Sequence, residues 1–154
     1  MRFARDAVKV IFKTMITEIG HFALILAFLV AIVQAVVPLV GAQKRWPGWM
    51  AMADPAATAQ FLLTALSFAA LTYAFVVSDF SLRLVTLNSH SDKPLLYKIT
   101  GVWGNHEGSM LLWVLIVTLF GGSVAWFGSN LPPGLKARVL SVQAMIGVAF
   151  FAFI

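Results

Sequence analysis

The sequence predicts an all-α fold, a polytopic transmembrane helical bundle of about four spans. Three observations lead there. Of 154 residues, 60% are hydrophobic and 11% charged, against nearly half and about a quarter in an ordinary soluble domain. Too few charged side chains are present to coat a globule, which excludes a soluble single domain and a disordered chain alike. The apolar residues are also gathered into runs close to the ~20 residues that cross a bilayer as a helix. Finally, the chain has no cysteine, so disulfides, thiolate metal sites and a cysteine nucleophile are excluded within it.

The first apolar run covers residues 19–42 and is interrupted only by His21, Gln34 and Pro38. It is too long for a signal-peptide core, and further spans follow it. The second run, residues 59–77, and the third, residues 109–127, carry no charge. The fourth begins at Val139 and is still apolar at Ile154. Its sixteen residues reach roughly 24 Å at about 1.5 Å each, short of a hydrocarbon core of about 30 Å. The expectation is a truncated fourth span, and a chain that is the N-terminal piece of something longer.

Three connections join the runs. Residues 43–58 and 128–138 are short, basic and punctuated by proline and glycine. Residues 78–108 form the longest polar stretch and hold His90 and His106, two of the three histidines. The net charge of +5 resembles a nucleic-acid footprint, but basic loops beside a membrane explain it, and no nucleic-acid partner is expected. Orientation turns on the first fourteen residues. Lys44, Arg45, Lys136 and Arg138 lie on one side; Arg83, Lys93 and Lys98 lie on the other, with Arg2, Arg5, Lys9 and Lys13. Counted whole, the N-terminus is cytoplasmic; counted from Met15, it is outside. Arg2, Arg5, Lys9 and Lys13 also form one helical stripe, which suits either an interfacial helix on anionic lipid or an extension (residues 1–14) upstream of the true start at Met15.

Several residues are candidates for chemistry. Glu18 and His21 share a helical face at the first span's start, where hydration at headgroup level competes with a functional role. Trp46, Trp49, Trp103 and Trp126 sit near span ends as interfacial anchors, whereas Trp113 lies one turn inside the third span. Asp79 and Arg83 are spaced for an i,i+4 pair if the second helix continues. The segment Trp103-Gly104-Asn105-His106-Glu107-Gly108-Ser109 packs a histidine, a carboxylate and an amide immediately before a span. Asn105 suits a helix cap and Glu107 the positive end of the helix dipole. The same geometry would let His106 and Glu107 hold a metal, a proton or a propionate-bearing cofactor. No zinc-type spacing accompanies them.

The string Ala74-Phe75-Val76-Val77-Ser78-Asp79-Phe80, then Asn88-Ser89, Pro94 and Tyr97, then Trp103-Gly104-Asn105-His106-Glu107-Gly108-Ser109-Met110-Leu111-Leu112-Trp113, resembles the N-terminal region of the CcmF/NrfE family of bacterial cytochrome c maturation. The stretch from Met15 to Leu24 resembles the family's usual start. The resemblance covers residues 15–154. It implies a longer multi-span protein of the inner membrane with residues 78–108 periplasmic. It implies a heme lyase subunit that receives heme from a periplasmic heme chaperone. Such a subunit helps attach heme to the Cys-x-x-Cys-His thiols of apocytochrome c, together with thiol-reducing and apoprotein-presenting subunits. A heme b cofactor would be held mainly by family regions absent here, since this chain lacks the family's Trp-Trp-Asp motif and its later histidines. Trp103, His106, Glu107 and Trp113 are then expected near the heme platform, with no resident metal site. The competing expectation is a transporter or respiratory-complex subunit, with Glu18, His21, His106 and Glu107 on an ion or proton path.

Overall fold

In the computed structural model, the backbone is described for residues 2–154 and the side chains for Ile11 and residues 14–154. The basic stripe of Arg2, Arg5, Lys9 and Lys13 therefore lies outside the described side chains. Seven helices follow in order: α1 Arg2–Lys44, α2 Pro47–Ala51, α3 Ala53–Val76, α4 Arg83–Asn88, α5 Leu95–Thr100, α6 His106–Phe127 and α7 Pro133–Phe151. Four candidate spans, Thr14–Lys44, Pro47–Val76, His106–Phe127 and Pro133–Phe151, are long and apolar enough to cross a membrane. Helix α1 packs against α3 and α7, α3 against α6, and α6 against α7, which closes the four into a ring.

Lipid tails are as apolar as leucine, so the spans gain little by hiding large apolar side chains from it; close backbone approach has to hold them together. The residues follow that logic. On α1, Ala23, Ala27, Ala31 and Ala35 recur every fourth position and are all buried. The buried positions of α3 include Ala53, Ala57, Ala70 and Ala74, and those of α7 include Ala137, Ala144 and Gly147. Large side chains such as Phe22, Leu29, Phe120 and Phe127 point outward. Gly20 marks a close α1–α3 approach: a Cβ there would lie 2.5 Å from the Cβ of Ala70.

Two spans start earlier than expected. Residues 43–58 are largely helical rather than loop, because Pro47 opens α2 at its N-terminal turn, a position where the missing N–H costs nothing. Arg45 turns the chain with φ 56°, and Gly41 lets Trp49 dock on α1. Likewise α7 begins at Pro133, not Val139, for the same reason. Lys136 is thereby carried on the helix and neutralised: its Nζ donates to Asp54 Oδ2 and to the Ala125 carbonyl, both at 2.8 Å. The fourth helix has 19 residues, about 28 Å, rather than the sixteen counted from Val139.

The expected Asp79–Arg83 pair does not form. Helix α3 stops at Val76, and Ser78 takes φ 52°. Asp79 instead accepts hydrogen bonds from the backbone N–H and hydroxyl of Ser81, at 3.2 and 2.8 Å, a local turn that its short side chain favours. The long connection is not an extended loop. It folds back through α4 and α5, and Val85 and Val102 pack on Ala74 and Phe75 in one buried cluster.

That cluster sets the start of α6. Val102 is fully buried, and the chain turns immediately after it. Asn105 Oδ1 accepts from the Gly108 N–H at 2.7 Å, while its Nδ2 donates to the carbonyls of Gly101 and Val102 at 2.9 and 3.1 Å. One side chain thus caps the helix and clamps the preceding turn. Gly108 is compelled by space, since a Cβ would collide with the Val102 carbonyl oxygen.

Two outcomes follow for the folded protein in membranes. Gly20→Ala should cost about 1–3 kcal/mol of stability through overpacking, and Ala70→Gly in the same chain should restore part of it, as read by the thermal midpoint in detergent. Asn105→Ala should cost about 1–2 kcal/mol, and Gly108→Ala should cost more, because its clash is with backbone. A Gly108→Ala protein as stable as wild type would show that the turn at Val102 is not as described.

Candidate functional site

The residues singled out by sequence gather at one end of the bundle, where α3 stops and α6 starts, but they do not form one site. Successive residues on a helix point about 100° apart. His106 and Glu107 consequently face different neighbours. The ring of His106 stands edge-on to Phe153, with centroids 6.2 Å apart. Met110, one turn along, lines a shallow hollow with Ala149, Phe150 and Phe153. Trp113 is seven residues beyond His106, on the same helical face, and is exposed. Trp103 is also exposed, in the turn before the helix.

Glu107 faces the other way. With Leu111 it lines a cavity of about 270 Å³ whose remaining wall includes Thr17, Gly20 and His21 of α1, Ser67 and Ala70 of α3, and Leu82 and Leu84 of the connection. His21 is therefore brought to the same cavity as Glu107, while Glu18, its expected companion, is exposed and does not line it. This pairing across more than eighty residues was not legible from spacing. Its one signal was that both residues are titratable and each opens an apolar run.

The chemistry available here follows from the surroundings. Glu107 sits in the first turn of α6, where the helix dipole favours a carboxylate. His21 offers a donor or an acceptor according to its protonation. Apolar walls with two titratable groups suit an amphiphilic ligand with its polar end held by His21 or Glu107. Among the described residues no group of three His, Cys, Asp or Glu side chains stands where it could hold a metal ion. His21 is the one histidine lining this cavity. His106 is turned away against Phe153, and His90 is exposed on the connection.

Three tryptophans mark the end of the bundle opposite His106. Trp46 and Trp49 stack edge to face at 5.0 Å, with Lys44 Nζ 4.7 Å from the Trp46 ring. Trp126 donates from Nε1 to the Thr58 hydroxyl at 3.0 Å and packs on Phe61. Each ring is roughly half exposed, as an interfacial anchor needs, and Trp46 and Trp126 keep a polar partner at hand.

No protein-family model matches the chain. Individual proteins do. The chain is 71% identical over 140 residues to the cytochrome c-type biogenesis protein ccl1 of Rhodobacter capsulatus, covering 91% of this chain and 21% of that protein. It is 48% identical over 140 residues to the cytochrome c-type biogenesis protein CcmF of Pseudomonas aeruginosa, with the same coverage. It is 36% identical over 140 residues to NrfE of Haemophilus influenzae, covering 91% and 22%. A solved structure, the cytochrome c heme lyase CcmF, superimposes with a TM-score of 0.83 and 28% identity, covering 89% of this chain and 23% of that one. The chain thus spans about a fifth of the length of these relatives. By sequence and by fold the chain matches the N-terminal part of cytochrome c-type biogenesis proteins of the CcmF/NrfE kind.

Proposed function

We propose that this chain works in cytochrome c biogenesis, as the first spans of an inner-membrane protein that takes heme from a periplasmic heme chaperone and helps attach it to apocytochrome c. The 140-residue match at 71% identity to a cytochrome c-type biogenesis protein carries this reading. The fold shared with a heme lyase at a TM-score of 0.83 supports it. In that reaction heme is the substrate: each cysteine S–H adds across a heme vinyl group, forming one S–C and one C–H bond with no net redox change. Heme b as a resident cofactor, and its ligands, would belong mainly to other parts of the protein, since the family's Trp-Trp-Asp motif and later histidines are not among these residues. Residues 1–14 are read as an extension outside the shared region, which the likeness of residues 15–24 to the family's usual start supports.

Within this division of labour, residues 78–108 lie on the periplasmic side. The rigid turn made by Asn105 and Gly108 holds two outward groups in place. Trp103, His106 and Trp113 offer aromatic surface to a flat ligand or to the apoprotein strand near the heme platform. Glu107, with His21, offers polar contacts beside an apolar hollow. Partner subunits that reduce and present the apocytochrome thiols would approach this end of the bundle.

Two measurements test the reading. His106→Ala and Glu107→Ala, each in the full-length protein, should lower the yield of holocytochrome c several-fold, scored by heme stain, while membrane insertion is unchanged. Wild-type yield in both variants would remove this end of the bundle from the reaction. The 154-residue chain purified alone should show no stoichiometric Soret absorbance after heme addition. One heme per chain would place a resident heme site within these residues.

A further inference from the structure

The bundle hides a polar deficit at mid-depth. Among the described residues, seven buried side-chain atoms lack a hydrogen-bond partner, and four of them belong to three mid-span residues: Oε1 of Gln34, both amide atoms of Gln60, and the hydroxyl of Ser141. All three residues are fully buried. Gln34 lies ten residues before the end of α1, roughly 15 Å deep. Ser141 lies eight residues into α7, roughly 12 Å from the same end. Gln60 is thirteen residues past Pro47, roughly 20 Å along. The three thus belong to the middle of the spans and not to their hydrated ends.

Neighbouring groups show that the deficit is local. Thr64 donates to the Gln60 carbonyl at 2.7 Å and Thr118 to that of Leu115 at 3.0 Å. Gln143 donates to the Val117 carbonyl at 2.9 Å. Gln34 Nε2 donates to the Leu140 carbonyl at 3.0 Å, which brings its unpartnered Oε1 to the stretch of α7 that carries Ser141. Pro38 adds to the demand. It stands four residues after Gln34 inside α1 and has no N–H, so the Gln34 carbonyl loses its helical donor. Beside Gln60 the chain is stripped back to a glycine: a Cβ on Gly147 would lie 3.4 Å from Gln60 Nε2, at ordinary contact distance.

An unpaired amide in apolar surroundings is costly, and lipid can supply no partner. Neither lipid nor a further helix reaches side chains with no exposed surface. The missing partner has to be small, polar and internal. We propose that ordered water occupies the interior between α1, α3 and α7, bound to the Gln60 amide beside Gly147 and serving the open positions on Gln34 and Ser141.

The test uses full-length protein in lipid nanodiscs. In a dry core, Gly147→Ala meets only ordinary contacts and gains helix propensity, so the thermal midpoint should hold or rise. With water there, the added methyl displaces it, and the midpoint should fall by about 2–4 °C. Gln60→Leu removes the demand for water, so adding Gly147→Ala to Gln60→Leu should produce no further fall. A density map at about 2 Å should show solvent peaks within hydrogen-bonding distance of Gln60. A Gly147→Ala protein at or above the wild-type midpoint would overturn the proposal, as would a map in which Gln60 bonds only to protein groups.

Discussion

Close backbone approach is the constraint from which the other features follow. In water, each helix would gain by burying leucine and phenylalanine. In lipid that gain vanishes, because the surroundings are already apolar. The chain responds by turning its large side chains outward and lining the interior with alanine and glycine. The fourfold repeat of Ala23, Ala27, Ala31 and Ala35 gives α1 one smooth ridge. Gly20 against Ala70 brings α1 and α3 close together, beside the cavity that His21 and Glu107 share. The small residues that hold the bundle therefore also decide how wide that hollow can be.

The second determinant is the turn into α6. Without its cap, the first N–H groups of α6 would lack partners. Asn105 satisfies one and spends its own amide on two carbonyls of the turn before it. Gly108 lets that turn lie against the helix. The density of polar residues in this segment thus has two separate sources. Asn105 and Gly108 are occupied with folding, and His106, Glu107 and Trp103 are the ones left free to act. Those three are exposed because the cap fixes where the helix begins, and so which way each successive residue faces.

Much of this was legible in the sequence. Four apolar runs with basic connections specify four spans, and Asn105 reads as a cap from its place before the third run. Boundaries were less legible. Counting charge placed Lys136 and Arg138 in a loop, yet Lys136 enters α7 because Asp54, 82 positions away, neutralises it. Proline reads as punctuation, but at Pro47 and Pro133 it opens helices. The Asp79–Arg83 spacing suggested a helix that the left-handed turn at Ser78 ends. The pairing of His21 with Glu107 depends on α1 and α6 meeting at one cavity, which no local pattern encodes. His106 and Glu107, adjacent in the chain, were read as one site and are divided by the helical repeat.

Gln34 and Gln60 show why composition alone underestimates the interior. Gln34 reads as an interruption of the first apolar run, and Gln60 lies within the second, uncharged one. Both are instead fully enclosed, at depths where lipid offers nothing to bond with. A bundle built from alanine and glycine gains tight contact but has few side chains able to satisfy an amide. Such an interior must either exclude polar residues or admit solvent with them. The glycine beside Gln60 and the proline beyond Gln34 both increase the room or the demand for a small polar partner. Tight packing near the His21–Glu107 cavity and a polar belt at mid-depth are therefore two results of one choice, an interior of small residues in a medium that cannot hydrogen-bond.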